Sequence, residues 1–225
     1  MATTLYPLGG ATSPKTEVVY WEGSTYMASY TFIPGQTTTH VFDHLDLYIA
    51  TKKSPNPGCY WAYQTILAID VSSIPAEDDV SAVTLSMALL HTSIDNDFTI
   101  NVYALPAEDL EEKDFIESDA SPYPSANGYK VASIATANVV AGQNAFTSLP
   151  AFATAVEEAR DDVAQILYLV LVSSRQEAEI QEDEGDNSEI AFKAEDHAEG
   201  QSVYPKLVVE HGESNFMQPK WLGVW

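Results

Sequence analysis

Three aromatic rings lie close together in Gly58-Cys59-Tyr60-Trp61-Ala62-Tyr63. Trp61 flanked by Tyr60 and Tyr63 offers flat apolar faces with polar edges, the side-chain chemistry that stacks on a sugar ring, so these three residues are the candidate glycan-binding site. The competing reading packs Trp61 over the end of a sheet, where aromatic residues are common. Tyr20, Trp21, Tyr26 and Tyr30 carry the same two readings. His40 and His44, with Asp46 nearby, are ligand types for a metal, but strand positions explain them without a third ligand, and no metal is assigned. Asp183, Gly185, Asp186, Asn187 and Glu189 supply oxygen chemistry suited to calcium. Their spacing departs from the twelve-residue EF-hand loop, and 176–189 reads as a solvated acidic loop. The sequence holds no Gly-x-Ser-x-Gly elbow, Gly-rich phosphate loop or His-Glu-x-x-His pair, so no catalytic residue and no cofactor is assigned, and the chain is expected not to be an enzyme.

A second set of residues points to association. Leu5, Tyr6 and Leu8 near the start, and Phe216, Met217, Trp221, Leu222 and Trp225 near the end, lie in segments with no apolar period of their own. Exposed on a monomer they would promote aggregation. Trp and Tyr are favoured anchors of protein interfaces, so these eight residues are the candidate subunit-docking set. The competing reading folds them back to cover the edge of their own sheet.

The elements that must position these residues read as strands. The runs 17–21, 25–33, 40–50 and 63–71 are dense in aromatic and β-branched residues and bounded by Gly, Pro, Asn or Asp. In 80–90, Val83, Leu85, Met87 and Leu89 alternate with Thr84 and Ser86, a period of two that buries one face. The segment 97–105 repeats the pattern after an Ile94-Asp95-Asn96-Asp97 turn. The stretch 106–128 reads as a long excursion. A helix is predicted after Pro150, with Phe152, Val156 and Ala159 at helical spacing. It leads into 165–174, apolar at nearly every position, as a strand buried on both faces is. The last strands are 189–194 and 203–211. The fold class is therefore all-β, an antiparallel β-sandwich with one short helix and extended N- and C-terminal arms. Its divisions are an arm over 1–15, a β-sandwich domain over 16–211 and a docking tail over 212–225.

The 225 residues suffice for one β domain with a full core. Charged residues make up 19%, where about a quarter is usual, but 33 are acidic and 10 basic, for a net charge of −23. Such a surface repels nucleic acid and anionic lipid, so neither is expected as a partner. The lone Cys59 excludes an internal disulfide and a Cys-built zinc site. The opening MATTLYPLGG lacks the basic and apolar regions of a secretory signal, so export by that route is not expected.

The order of segments resembles that of the DNRLRE-type (disaggregatase-related) β-sandwich domains. Three motifs carry the resemblance: Ile66-Leu67-Ala68-Ile69-Asp70-Val71-Ser72-Ser73-Ile74-Pro75, then Val80-Ser81-Ala82-Val83-Thr84-Leu85-Ser86-Met87, and Pro205-Lys206-Leu207-Val208-Val209 near the end. The chain departs from the family at Ile69, usually phenylalanine, and at Lys193-Ala194-Glu195, usually serine-arginine-glutamate. The resemblance implies a jelly-roll sandwich, found in carbohydrate-binding modules and in pieces of virion proteins. With an acidic body and apolar arms, the expectation is a tailed-phage-like structural protein located in the virion, a capsid decoration or cement protein. Its partners would be the major capsid protein, other virion subunits and further copies of itself. The alternative is a carbohydrate-binding module or a glycan-binding tail or fibre adhesin.

Overall fold

The structure is a computed structural model. It describes residues 1–8, 17–23, 38–42, 46–53, 60–105, 129–178, 180, 183–194 and 200–213; for 17–23, 38–42, 60, 61 and 129 only the backbone is described. The strands are β1 (Ala2–Leu5), β2 (Glu17–Gly23), β3 (Thr38–Phe42), β4 (Asp46–Lys53), β5 (Tyr60–Asp70), β6 (Asp78–Ile94), β7 (Thr99–Leu105), β8 (Tyr129–Ala135), β9 (Gln143–Ala145), β10 (Thr147–Ser148), β11 (Ile166–Ser173), β12 (Asn187–Lys193) and β13 (Lys206–Glu213). Helix α1 (Ala151–Asp161) precedes β11, and the single turn α2 (Ser174–Glu177) follows it. All paired strands are antiparallel, in the order β1-β13-β6-β12-β4-β5-β11-β7-β8-β10, with β2 and β3 branching from β5 and β9 from β6. The fold is all-β, a curled sheet in sandwich form.

The curl originates at β5. On one edge it pairs β2 through Glu17↔Ile66 to Gly23↔Tyr60. On the other edge, Tyr60 to Tyr63 pair β4, and Thr65 to Asp70 pair β11. Two strands taking the same edge in turn force the sheet to fork there. Between the diverging layers lie Leu47 and Ile49 of β4, Leu67 and Ile69 of β5, Leu167, Leu169 and Leu171 of β11, and Ile190 and Phe192 of β12, all buried. Each such side chain contributes roughly 1.5–3 kcal/mol by leaving water.

The alternation in β6 holds only in part: Val83, Leu85 and Met87 are buried and Leu89 half-buried, and Thr84 on the other face is half-buried, but Ser86 and Ala88 of that face are buried as well, where β9 pairs the strand. β11 is buried on both faces, Leu169, Val170, Leu171 and Val172 being at most 1% exposed. In α1, Phe152, Ala155 and Val156 are buried, and the helix packs on β6, β8 and β11.

Two expectations are corrected. Residues 2–8 of the N-terminal arm do not lie outside the sandwich: Ala2–Leu5 is a strand on β13, with Leu5 opposite Leu207 and buried, Pro7 bridging to Ile69, and the Leu8 amide bonded to Ala68 O at 2.7 Å. Burial of Leu5 and satisfaction of the edge amides outweigh the loose composition of the segment. The acidic loop read over 176–189 is shorter, because α2 covers its start and β12 begins at Asn187. In addition, β13 runs two residues past 211, to Glu213. The predicted strand 25–33 and excursion 106–128 lie outside the described residues.

Candidate functional site

Four neighbouring strands bring one group of side chains together. Register places Ala50 of β4 opposite Tyr63 of β5 and Glu189 of β12, and Lys52 opposite Asn187. Ala191 stands opposite Tyr48 on one side and His91 of β6 on the other. Strand alternation then sets Tyr48, Lys52, Tyr63, His91 and Glu189 on one face, away from Ile49 and Ile190.

Glu189 is the centre, with its side chain only 8% exposed. His91 Nε2 meets its Oε1 at 2.7 Å, and Lys52 Nζ contacts its Oε2. The Lys52 ammonium also lies 5.2 Å from the centre of the Tyr63 ring, within cation–π range. The Tyr48 ring contacts Tyr63 at 6.1 Å and His91 edge-on at 5.8 Å. Burial holds the Lys52 amine below the usual lysine range. The Tyr48 phenol is pushed up, first by burial, then by the charge of Asp46 and a hydrogen bond to it. The arrangement pairs two half-buried rings with a cation, an imidazole and a dry carboxylate.

Tyr63, of the predicted glycan set, belongs to this face. Tyr60 and Trp61 are in β5 opposite Lys53 and Lys52, and their side chains are outside the described residues. Tyr48, Lys52 and His91 were not foreseen, and Glu189 was expected as an oxygen of the acidic loop; it lies in β12. The period of two in β6 breaks at Leu90, where a register shift sets Leu89 opposite Phe192 but His91 opposite Ala191, so spacing alone gave no signal for the face of His91. The other residues meet only through strand pairing.

The second constellation spans β1, β13 and β6. His211 Nδ1 meets Asp78 Oδ2 at 2.7 Å and its Nε2 meets Thr3 Oγ1 at 2.9 Å. Hydroxyl, imidazole and carboxylate in this order can activate a nucleophile. Here the imidazole is 0% exposed and continues the buried row of Leu207 and Val209, so it is sealed from any substrate. Its work is fastening. Arg160 of α1 adds to the same corner, donating from Nη1 to Asp78 O at 2.6 Å and Pro75 O at 3.1 Å.

Of the predicted docking residues, Leu5 is buried, Tyr6 is half-buried with its ring edge-on to Tyr204 at 6.5 Å, and Leu8 is half-buried. Leu5 is thus taken up by its own chain. Phe216, Met217, Trp221, Leu222 and Trp225 lie outside the described residues. His40 is in β3 opposite Tyr20, and His44 is outside the described residues. Among the described residues no group of three or more His, Cys, Asp or Glu could hold a metal, and no helix is long and apolar enough to cross a membrane.

What fold and site define together is a class: an antiparallel β-sandwich with a charged aromatic face and a pinned terminal strand. In comparisons with known proteins, no family model and no curated protein matches the chain.

Proposed function

We propose that the protein is a structural component of a viral particle of the tailed-phage kind, a decoration or cement protein on the capsid exterior. The observation that carries this reading is the anchorage of β13, the strand from which the aromatic C-terminal segment departs. Leu207 and Val209 are buried, β1 and β6 flank the strand on both edges, and His211 is fixed by Thr3 and Asp78 two residues before its end. A segment bearing Trp221 and Trp225 beyond such a root would transmit attachment to the whole sandwich. The net charge of −23 suits an exterior that keeps particles apart. The resemblance to DNRLRE-type sandwiches, which include pieces of virion proteins, supports the same reading. The partners are the major capsid protein or other virion subunits, and further copies of the chain.

Light scattering and co-sedimentation with capsid shells test this. The full chain should self-associate or bind shells, and a chain lacking residues 215–225 should do neither while keeping its fold. A full chain that stays monomeric and ignores the shells overturns the proposal.

A second reading, a glycan-binding module or adhesin, is favoured by the face on which Tyr48 and Tyr63 share polar neighbours Lys52 and His91. A glycan array with the wild type and Trp61→Ala decides it: binding lost in the variant supports this reading, and no binding by either protein removes it.

A further inference from the structure

Lys52 and Glu189 touch without being directly opposite one another. Lys52 faces Asn187 and Glu189 faces Ala50, so their side chains reach diagonally across one step of the β4–β12 ladder. We propose that the Lys52 amine and the Glu189 carboxyl condense into an intramolecular isopeptide bond joining β4 to β12.

Three observations carry this. The reacting groups are already in contact, Nζ on Oε2, held by paired strands rather than by loops. Such fixed proximity replaces the entropy that a bimolecular condensation would lose. The carboxyl is dry: the Glu189 side chain is 8% exposed, and the Lys52 side chain is 24% exposed with the Tyr63 ring beside the amine. Low polarity favours a neutral amine and a neutral acid over a charged pair, and only the neutral amine has a lone pair to donate. Burial lowers the Lys52 amine accordingly. Finally, a proton carrier is in place, since His91 Nε2 lies 2.7 Å from Glu189 Oε1.

The step balances without an added reagent. The Nζ lone pair attacks Cδ of the protonated carboxyl, and the carbon becomes tetrahedral. One proton leaves nitrogen and one oxygen, carrying two protons, departs as water when its C–O bond breaks. The product is a secondary amide. His91, 2.7 Å from Oε1, can give that oxygen its second proton as it departs, and the proton released from nitrogen makes good the one the imidazole gave, so the count closes. No electron is gained or lost overall.

Peptide mass spectrometry of the purified full chain, unfolded and digested, reads the bond directly. The expected result is a branched peptide containing both Lys52 and Glu189, lighter than the two separate peptides by one water, about 18 Da. Lys52→Arg keeps the positive charge but removes the primary amine, and should yield only the separate peptides. The proposal is overturned if the wild type gives those two peptides at full mass with the Lys52 amine open to acetylation in the unfolded chain. It is equally overturned if the branched mass persists in Lys52→Arg.

Discussion

His211 Nδ1 lies 2.7 Å from Asp78 Oδ2, bridging β13 and the first residue of β6 inside a seam where the imidazole has no exposed surface. A carboxylate only accepts, so Nδ1 carries the proton and Nε2 is left to meet Thr3. Asp78→Ala strands that buried N–H and should cost about 1–3 kcal/mol. The check is urea unfolding, in which the midpoint falls at unchanged slope. Amide exchange in Ala2–Leu5 should quicken in the same variant.

The two ends of the chain should respond differently to removal. Deleting residues 1–5 takes away β1 and exposes Leu207 and Val209 along one edge, so the melting temperature should fall by several degrees, since about 1 kcal/mol shifts it by roughly 2–4 °C at this size. Deleting 215–225 should leave melting nearly unchanged. Calorimetry on the two truncations separates them, and a large loss from the second would make that segment part of the domain.

Alkaline pH should weaken the fold through Tyr103. Burial, then its hydrogen bond to Glu177 and that residue's charge, push the Tyr103 phenol far above the usual tyrosine range. A raised folded value means the protonated phenol contributes stability that is complete below about pH 10, the unfolded value, and is lost as pH rises beyond it. Unfolding midpoints measured on either side of that value should fall, and Tyr103→Phe should flatten the fall. Tyr48, shifted the same way, adds a smaller contribution.

Gln64 is buried at the fork of β5, and neither amide atom finds a hydrogen-bond partner among the described residues. Burying an unpaired amide costs roughly 1–3 kcal/mol, so Gln64→Leu, close in volume, should stabilise by a similar amount. A variant less stable than wild type in urea would mean that Gln64 is paired after all.

Much of the frame is legible in the sequence because it depends on local period. The alternation of Val83, Leu85 and Met87 marks β6, and the apolar run 166–173 marks β11. Pro150 stands just before α1, where its fixed backbone angle suits a helix start. What is not legible depends on distant partners. The four residues of β1 look like any polar arm until β13 supplies their hydrogen bonds. The strand β8, Tyr129–Ala135, carries small residues at Ala132, Ser133 and Ala135 that blunt its pattern, and was not foreseen. The face around Glu189 is assembled from β4, β5, β6 and β12, whose pairings no spacing encodes.

The pairing of β1 with β13 also sets a clock on biosynthesis. At about 5–20 residues per second, Leu5 leaves the ribosome roughly 10–40 s before Leu207, the residue it will face. Through that interval the first strand has no place to dock, and β6 has one edge open. The seam therefore closes only once β13 has emerged, and a ribosome that stops before His211 releases a body whose seam cannot shut.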